Sequence, residues 1–382
     1  MRHRDLILGI NKGSTLRNKP LRLGGVAVAV DGEIKLAISE ERVTGKKWAG
    51  GYESALRQTT RSLSEMLKRH VELADFSAVA VSSCCEGEEA GKRGHPLESH
   101  PGLCTANHHV SHASVAFFPS GLESALICVI DGGGNTFGDD SPQRWWECDR
   151  EQHSYYIGSR SLIELVDRDF FKAGETGFGE IYRAFTFYLG WPSSRHAAKL
   201  MALAAYGEGK KVSVKSFVDF ADGKLSIPVL NNPESPVKMV QELGRNLGID
   251  FGEPRAPNAE ILPIHKNIAA YVQQNLETAL LERLRWLSHK YGIRSLCLGG
   301  GFALNCVING ALARTGVFDK VYVPSTPGDE GQAIGNALFC SHRRKKENSF
   351  VFPSFRYSKD VQLGPTYEIH SDDIMVLFGS VG

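Results

Sequence analysis

Apolar and polar positions along the chain alternate in blocks that predict an α/β protein. DLILGIN (5–11) is a short apolar run closed by a turn, and predicts a strand. GGVAVAVDGEIKLAISEER (24–42) predicts two more strands joined at Asp31-Gly32, a dipeptide suited to a tight hairpin. ESALRQTTRSLSEMLKRHV (53–71) has apolar positions at helical spacing, and SAVAVSS (77–83) is again strand-like. SALICVIDGGGNTFGD (124–139) predicts a buried strand running into glycines. The charged stretch DDSPQRWWECDREQHS (139–154) breaks the pattern and reads as irregular. Helices are expected near 179–190 and 196–206, and a long one over about 265–290. Residues 208–262 are polar and punctuated by Pro and Gly, the signature of an insertion or surface subdomain. IRSLCLGGGFALNCVINGAL (293–312) and KVYVPSTPGDEGQAIGNAL (320–338) each predict strand, turn and helix. The strand-hairpin starts near 6–40 and 126–165 suggest two topologically similar lobes.

Composition narrows the function classes. The chain has 382 residues, with 44 Lys and Arg against 43 Asp and Glu, so a general electrostatic grip on nucleic acid is not expected. No apolar run is long enough to span a bilayer, and the start lacks a signal-peptide core, so the expected location is the cytoplasm. The eight cysteines form no C-x-x-C pair, which argues against a thiolate zinc site. Cys128, Cys297 and Cys306 lie in apolar segments and are expected to act as small hydrophobes.

Candidate chemistry begins with three glycine turns that follow apolar strands: GINKGST (9–15), DGGGNT (131–136) and LGGGFALN (298–305). Glycines let backbone N–H groups approach phosphate oxygens, although tight turns without a ligand use them too. Together they favour a nucleotide cleft between lobes. Asp131 either organises a phosphate-bound metal or caps its turn, and Lys12, Ser14 and Thr15 either touch phosphate or are polar turn residues. The stretch HHVSH adds His108 and His112, four apart, so on a helix their rings leave one face at a spacing that one metal ion bridges. Capping or core hydrogen bonding is the alternative. Asp329, on a turn before a helix, is the best third ligand, and such a set suits iron, manganese, zinc or magnesium.

HHVSHASVAFFPS (108–120), VIDGGGN, GEIYRAFTFYLG, KLMALAAYG, LCLGGGFALNCVING and VYVPSTPGDEGQAIGNAL, in that order, resemble the NodU/CmcH carbamoyltransferases. The resemblance runs over about residues 5–345, and QLGPTY (362–367) is similar to the family's junction into a second domain. It implies an actin-like ATPase (Kae1-like, ASKHA) fold, with two related lobes around a nucleotide: lobe I about 1–125 and lobe II about 126–345. Residues 346–382 are then a linker or tail.

The resemblance also implies a metal, most often iron, on His108, His112 and Asp329, with Mg or Mn as alternatives. In the family a YrdC-like domain makes carbamoyladenylate from carbamoyl phosphate and ATP. The amino-terminal cleft then passes the carbamoyl group to an acceptor hydroxyl or amine and releases AMP. Gly299, Gly300, Gly301 and Asn305 are expected on the adenosine side, Asp131, Gly132, Gly133 and Asn135 on the phosphate side, and Lys199 facing the cleft. Glu40 and Glu41 are expected to brace the hairpin or touch the acceptor side.

Two departures stand out. The family's His-Asp pair before the first hairpin is replaced by Arg22 and Leu23, which leaves Lys12, Lys199 and Arg22 as candidate catalytic groups, with His196 either a further candidate base or a solvated helix residue. Only fifteen residues follow Tyr367, so the activating domain is expected from a YrdC-like partner in trans. The partners expected are thus a small-molecule acceptor and that protein; dimerisation is left open, and no nucleic acid or membrane is expected. A non-catalytic nucleotide-binding scaffold and a threonylcarbamoyl-type tRNA modifier are the alternative functions. Loops at 137–178 and 208–262 are the expected specificity regions, with Trp145, Trp146 and Trp191 available to stack on a ring unless buried.

Overall fold

The computed structural model describes residues 5–12, 23–84, 97–137, 149–160, 162–172, 174–232 and 234–347. The candidates Ser14, Thr15, Arg22, Trp145 and Trp146 lie outside these residues, as does the tail from 348 onward.

Two sheets carry the fold. The first contains β1 (Leu6–Asn11), β2 (Gly25–Val30), β3 (Glu33–Ser39), β4 (Ala78–Ser83) and β5 (Leu103–Asn107), in the order β3-β2-β1-β4-β5. β1 and β2 pair antiparallel, as do β2 and β3, whereas β4 runs parallel to both β1 and β5. The hairpin turn falls at Asp31 and Gly32, both with positive φ, as that dipeptide predicts.

The second sheet contains β6 (Ser124–Ile130), β7 (Thr136–Phe137), β8 (Asp149–Ser159), β9 (Leu162–Phe171), β12 (Ser295–Gly299) and β13 (Lys320–Tyr322). A small ribbon of β10 (Asp219–Ala221) and β11 (Lys224–Ser226) stands apart. β8 pairs antiparallel with β6 and with β9, and β12 runs parallel to β6 and β13. Leaving aside two-residue β7, the order is β9-β8-β6-β12-β13. Both lobes therefore share one plan: strand, antiparallel hairpin, then two parallel strands on the other side of the first. The weak self-similarity of the two hairpin starts reflects a duplicated topology.

Between the sheets lie two helices, each following the last strand of its lobe: His108–Phe117 after β5, and Gln332–Glu347 after β13. They pack on each other, and an apolar cluster of Ala27, Ala80, Ala113, Ala116, Val129, Cys297 and Ala337 joins both sheets through them. The Gln332–Glu347 helix, although it falls in the stretch expected for lobe II, packs on β1, β2 and β4 of the first sheet. Gly9 shows how closely it lies, because a Cβ there would stand 2.0 Å from the Ala333 carbonyl oxygen. The glycine of GIN thus makes room for a helix rather than for a phosphate.

Two further readings need correcting. Residues 149–154 are not irregular; they open β8, and Arg150 to Ser154 are buried, with side chains of this stretch meeting partners inside the protein. Arg150 donates to Glu180 at 2.9 Å, and His153 lies 2.9 Å from Asp169. The segment 208–262, expected as an insertion or surface subdomain, contributes to the core rather than only to the surface. Phe217, Leu225, Met239, Val240, Leu243 and Phe251 join the main core of the second lobe, alongside the long Pro263–Tyr291 helix. Among the cysteines, Cys128 and Cys297 are buried as expected, but Cys306 is exposed.

Candidate metal centre

β5 ends at Asn107, and the next helix begins at His108, so the first imidazole leaves the helix start and His112 follows one turn later. Both rings face the end of β6, where Asp131 begins the glycine turn, and the turn before the final helix, where Asp329 sits. One donor atom from each of His108, His112, Asp131 and Asp329 lies within 4.8 Å of every other. His108 Nε2 is 3.0 Å from Asp131 Oδ2 and 3.5 Å from Asp329 Oδ1. His112 Nε2 is 3.7 Å and 3.4 Å from the same two oxygens. The predicted trio converges, and Asp131 joins it as a fourth member.

Neighbouring residues fix these groups. Asp131 Oδ1 accepts the Gly301 N–H at 2.9 Å, which leaves Oδ2 for the histidines. Gly300 makes that approach feasible: its φ is +86°, and a Cβ would lie 2.2 Å from the Ile130 carbonyl oxygen. Asn11 on β1 donates to the carbonyls of Asp329, at 2.8 Å, and Leu23, at 2.9 Å, tying the first sheet to the Asp329 turn. Cys84 Sγ lies 3.7 Å from His108 Nδ1. The Gln332 side-chain amide lies 3.0 Å from His112 Nε2, 2.8 and 3.1 Å from the two nitrogens of His108, and 3.3 Å from Asp329 Oδ1.

The electrostatics follow from this crowding. Burial disfavours a protonated His108, yet Cys84, Asp131 and Asp329 outweigh it and hold its pKa well above the ordinary imidazole value. His112 is raised in the same way: burial opposes protonation, and hydrogen bonds to Asp131 and Asp329 prevail. Burial also works against the Asp131 carboxylate, but both histidines hold its pKa well below the usual range. His109 goes the opposite way. Burial, then the adjacent His108 and His112, push its pKa well down. It is fully buried, with Nδ1 bonded to Ser154 Oγ at 2.7 Å, so it braces the fold behind the cluster.

The donor set fits a divalent cation. Two imidazoles and two carboxylates of opposite charge to the ion converge with separations close to the edges of a coordination polyhedron, about 3.0–3.5 Å for bonds of about 2.1 Å. Among the described residues no Lys or Arg forms an ion pair with them. Imidazole nitrogen mixed with carboxylate oxygen suits iron or manganese better than magnesium, which favours an all-oxygen shell.

Other predicted residues divide. Gly132 has open space where a Cβ would be, so its backbone can approach a ligand. Gly133 lies in the same turn, whereas Asn135 is fully buried, with its N–H 3.2 Å from Glu151. Gly299 packs against the His112 carbonyl, and Gly301 against Asp131. Asn305 does not present its amide to a nucleotide: both ends are bonded to Gln273 at 3.0 Å, and its oxygen also caps the Cys306–Arg314 helix. Lys199 is exposed on the Ala197–Ala204 helix. Lys12 is partly buried, and its carbonyl accepts from Gly51 at 2.8 Å. Among the described residues, neither lysine has a bond or ion pair to the metal cluster. Glu40 accepts N–H groups of Ser54 and Ala55, and Glu41 that of Trp48, so the pair braces the hairpin. Trp191 lies under Arg255, at 5.4 Å from its ring centre.

Sequence reasoning missed Asn11, Cys84 and Gln332. Gln332 alone left a signal, since it stands three residues after Asp329 at the start of a helix, and such residues share a face.

Residues 88–338 match a family model described as the carbamoyltransferase N-terminus. An uncharacterized protein of Synechocystis sp. is 31% identical over 303 residues, covering 74% of this chain and 46% of that protein. The nodulation protein NolNO of Sinorhizobium fredii is 30% identical over 238 residues, covering 62% of this chain and 31% of that protein. The crystal structure of T. kodakarensis HypF superposes with a TM-score of 0.52 at 14% identity, over 90% of this chain and 48% of that one. The chain thus spans less than half the length of each of these three. The superposition and the duplicated strand order identify an actin-like ATPase fold. No helix among the described residues is long and apolar enough to cross a membrane.

Proposed function

Because this chain belongs to the carbamoyltransferase N-terminal family, we propose that it transfers a carbamoyl group from carbamoyladenylate to a hydroxyl or amine of a small molecule. In this reading His108, His112, Asp131 and Asp329 hold a divalent cation, iron first among the candidates. The convergence of those four donors is the observation that carries it. When bound, the cation supplies Lewis-acid polarisation of a phosphate or carbonyl oxygen.

The chain's own residues do the rest. The open backbone at Gly132 approaches the phosphate side of the donor, and Asp131 couples that turn to the Gly301 backbone of the neighbouring loop. A donor held between these turns and an acceptor in the cleft loses AMP when the acceptor oxygen or nitrogen bonds to the carbamoyl carbon. Holding both reactants in place contributes to the rate independently of the cation. In this reading the activated donor comes from a YrdC-like unit outside the described residues. A role in natural-product biosynthesis fits the relatives named as nodulation proteins.

The test is direct. The purified protein, given synthetic carbamoyladenylate, Fe2+ and a panel of hydroxyl and amine acceptors, should form carbamoylated product and AMP in equal amounts. His112→Ala should form neither. AMP release without a carbamoylated acceptor, equal in wild type and variant, would reject the proposal.

A further inference from the structure

The geometry points to Cys84 as a positioning residue of the metal centre: its sulfur accepts the outer N–H of the His108 imidazole and so fixes which ring nitrogen faces the cation. This inference rests on the metal reading above and deepens it. Neither the H-x-x-x-H spacing nor the Asp329 turn singles this cysteine out.

The backbone brings the two side chains together. β4 and β5 run parallel with Ser83 in register with Asn107, so the residues that follow, Cys84 and His108, leave neighbouring strand ends side by side. That edge is firmly held. Asn336, buried on the last helix, donates its amide to the Ile10 carbonyl at 2.8 Å and to Ser82 Oγ at 3.2 Å, which anchors the ends of β1 and β4 together. Cys84 Sγ then lies 3.7 Å from His108 Nδ1, within reach of a sulfur hydrogen bond.

Both histidines turn Nε2 towards Asp131 and Asp329. A cation gathered there takes the Nε2 lone pairs, and each neutral ring then carries its proton on Nδ1. Which nitrogen binds a metal is set by the bond the other one makes, and that bond also makes the ring a stronger donor. For His108 the partner is Cys84. The Gln332 amide, 2.8 Å from Nδ1 and 3.1 Å from Nε2, stands over the face of the ring and does not take the Nδ1 proton. His112 Nδ1 is buried and has no hydrogen-bond partner among the described residues, so the two ligands are unequal: only His108 has its outer nitrogen bonded. The His108 side chain is 13% exposed, so removing the sulfur leaves its N–H short of an acceptor where little water can replace it.

The experiment compares the full chain with Cys84→Ala and Cys84→Ser, using Zn2+ alone as a diamagnetic probe. Competition titration measures affinity, calorimetry of the metal-free proteins measures stability, and NMR of isotope-labelled, Zn2+-loaded protein reads the imidazole N–H groups. For Cys84→Ala we expect Zn2+ affinity to fall about ten- to a hundredfold, with Cys84→Ser, which keeps a lone pair near the same place, within about threefold of wild type. The His108 Nδ1–H signal should be resolved in wild type and Cys84→Ser, and shifted or lost to solvent exchange in Cys84→Ala, while the metal-free melting temperatures stay alike. If Cys84→Ala binds Zn2+ as tightly as wild type with an unchanged signal, the proposal falls while the metal reading stands. If both variants lose affinity equally and melt lower without metal, the side chain only supports the fold and the proposal falls. If wild type and His112→Ala both bind no ion, the metal reading falls and takes the proposal with it.

Discussion

The second lobe contributes to two buried gatherings of histidine and aspartate, and they differ in where the positive charge comes from. Around Asp169 the protein provides it. Arg283 Nη2 lies 3.2 Å from Asp169 Oδ1, His153 2.9 Å and Tyr155 Oη 3.0 Å from Oδ2, and Asp167 stands 3.3 Å from the same guanidinium. Around His108 and His112 the carboxylates of Asp131 and Asp329 converge on imidazoles, and among the described residues no Lys or Arg pairs with them. The first arrangement is closed and serves the core of a long hairpin. The second gathers imidazole and carboxylate lone pairs with no Lys or Arg beside them among the described residues. Similar residues thus do opposite work, and what separates them is one arginine on the long Pro263–Tyr291 helix.

The comparison can be broken most strongly at the open cluster. His112→Ala should lower divalent metal affinity by on the order of a hundredfold or more and abolish carbamoyl transfer, while melting temperature without metal stays close to wild type; equilibrium dialysis and calorimetry measure both. The closed cluster should respond in the other sense. Asp169→Asn leaves buried Arg283 short of a counter-charge, with an expected loss of about 3–5 kcal/mol in denaturant unfolding and metal affinity unchanged.

That variant also sharpens the comparison in pH. Burial works against the Asp169 carboxylate, but His153, Arg283 and Tyr155 hold its pKa below the ordinary aspartate value. The unfolded chain therefore binds a proton at this position at a higher pH than the folded one. The stabilisation is complete above the ordinary aspartate pKa and is lost as pH falls through the lowered folded value. Unfolding free energies measured between pH 6 and 3, an interval of about three units around the ordinary aspartate pKa, should fall less steeply for Asp169→Asn than for wild type.

Metal addition comes next in size. At a free concentration of about a hundred times Kd it should raise stability by about 2.7 kcal/mol, reversed by chelation. It should do so equally in Asp169→Asn. The smallest effect is expected at Asn11→Ala, which removes two hydrogen bonds to the turns around the open cluster and should cost about 1–2 kcal/mol, with a few-fold drop in metal affinity.

Much of this was legible from residue order, for identifiable reasons. The histidine pair and Asp329 were visible because helical spacing and a turn before a helix are local facts. Asp131 was seen, but its neighbours were not: that its two oxygens divide between Gly301 and the histidines depends on two loops about 170 residues apart, Asp131 to Gly301. Hydropathy misread residues 149–154, because polarity counts against burial only when partners are unknown, and Glu180 and Asp169 lie far along the chain. Asn305 misled for the converse reason. Its glycine-rich setting suggested a ligand, whereas its amide closes on Gln273 from a distant helix.

The return of the Gln332–Glu347 helix to the first sheet bears on how the molecule is made. A ribosome delivers all five strands of the opening sheet long before the segment that seals one of its faces. That face waits, greasy and uncovered, through the synthesis of the entire second half, so the nascent amino-terminal half is the stage at which chaperones should be most needed. Protection of β1 amides should therefore appear in arrested chains only after residue 347 has emerged from the exit tunnel.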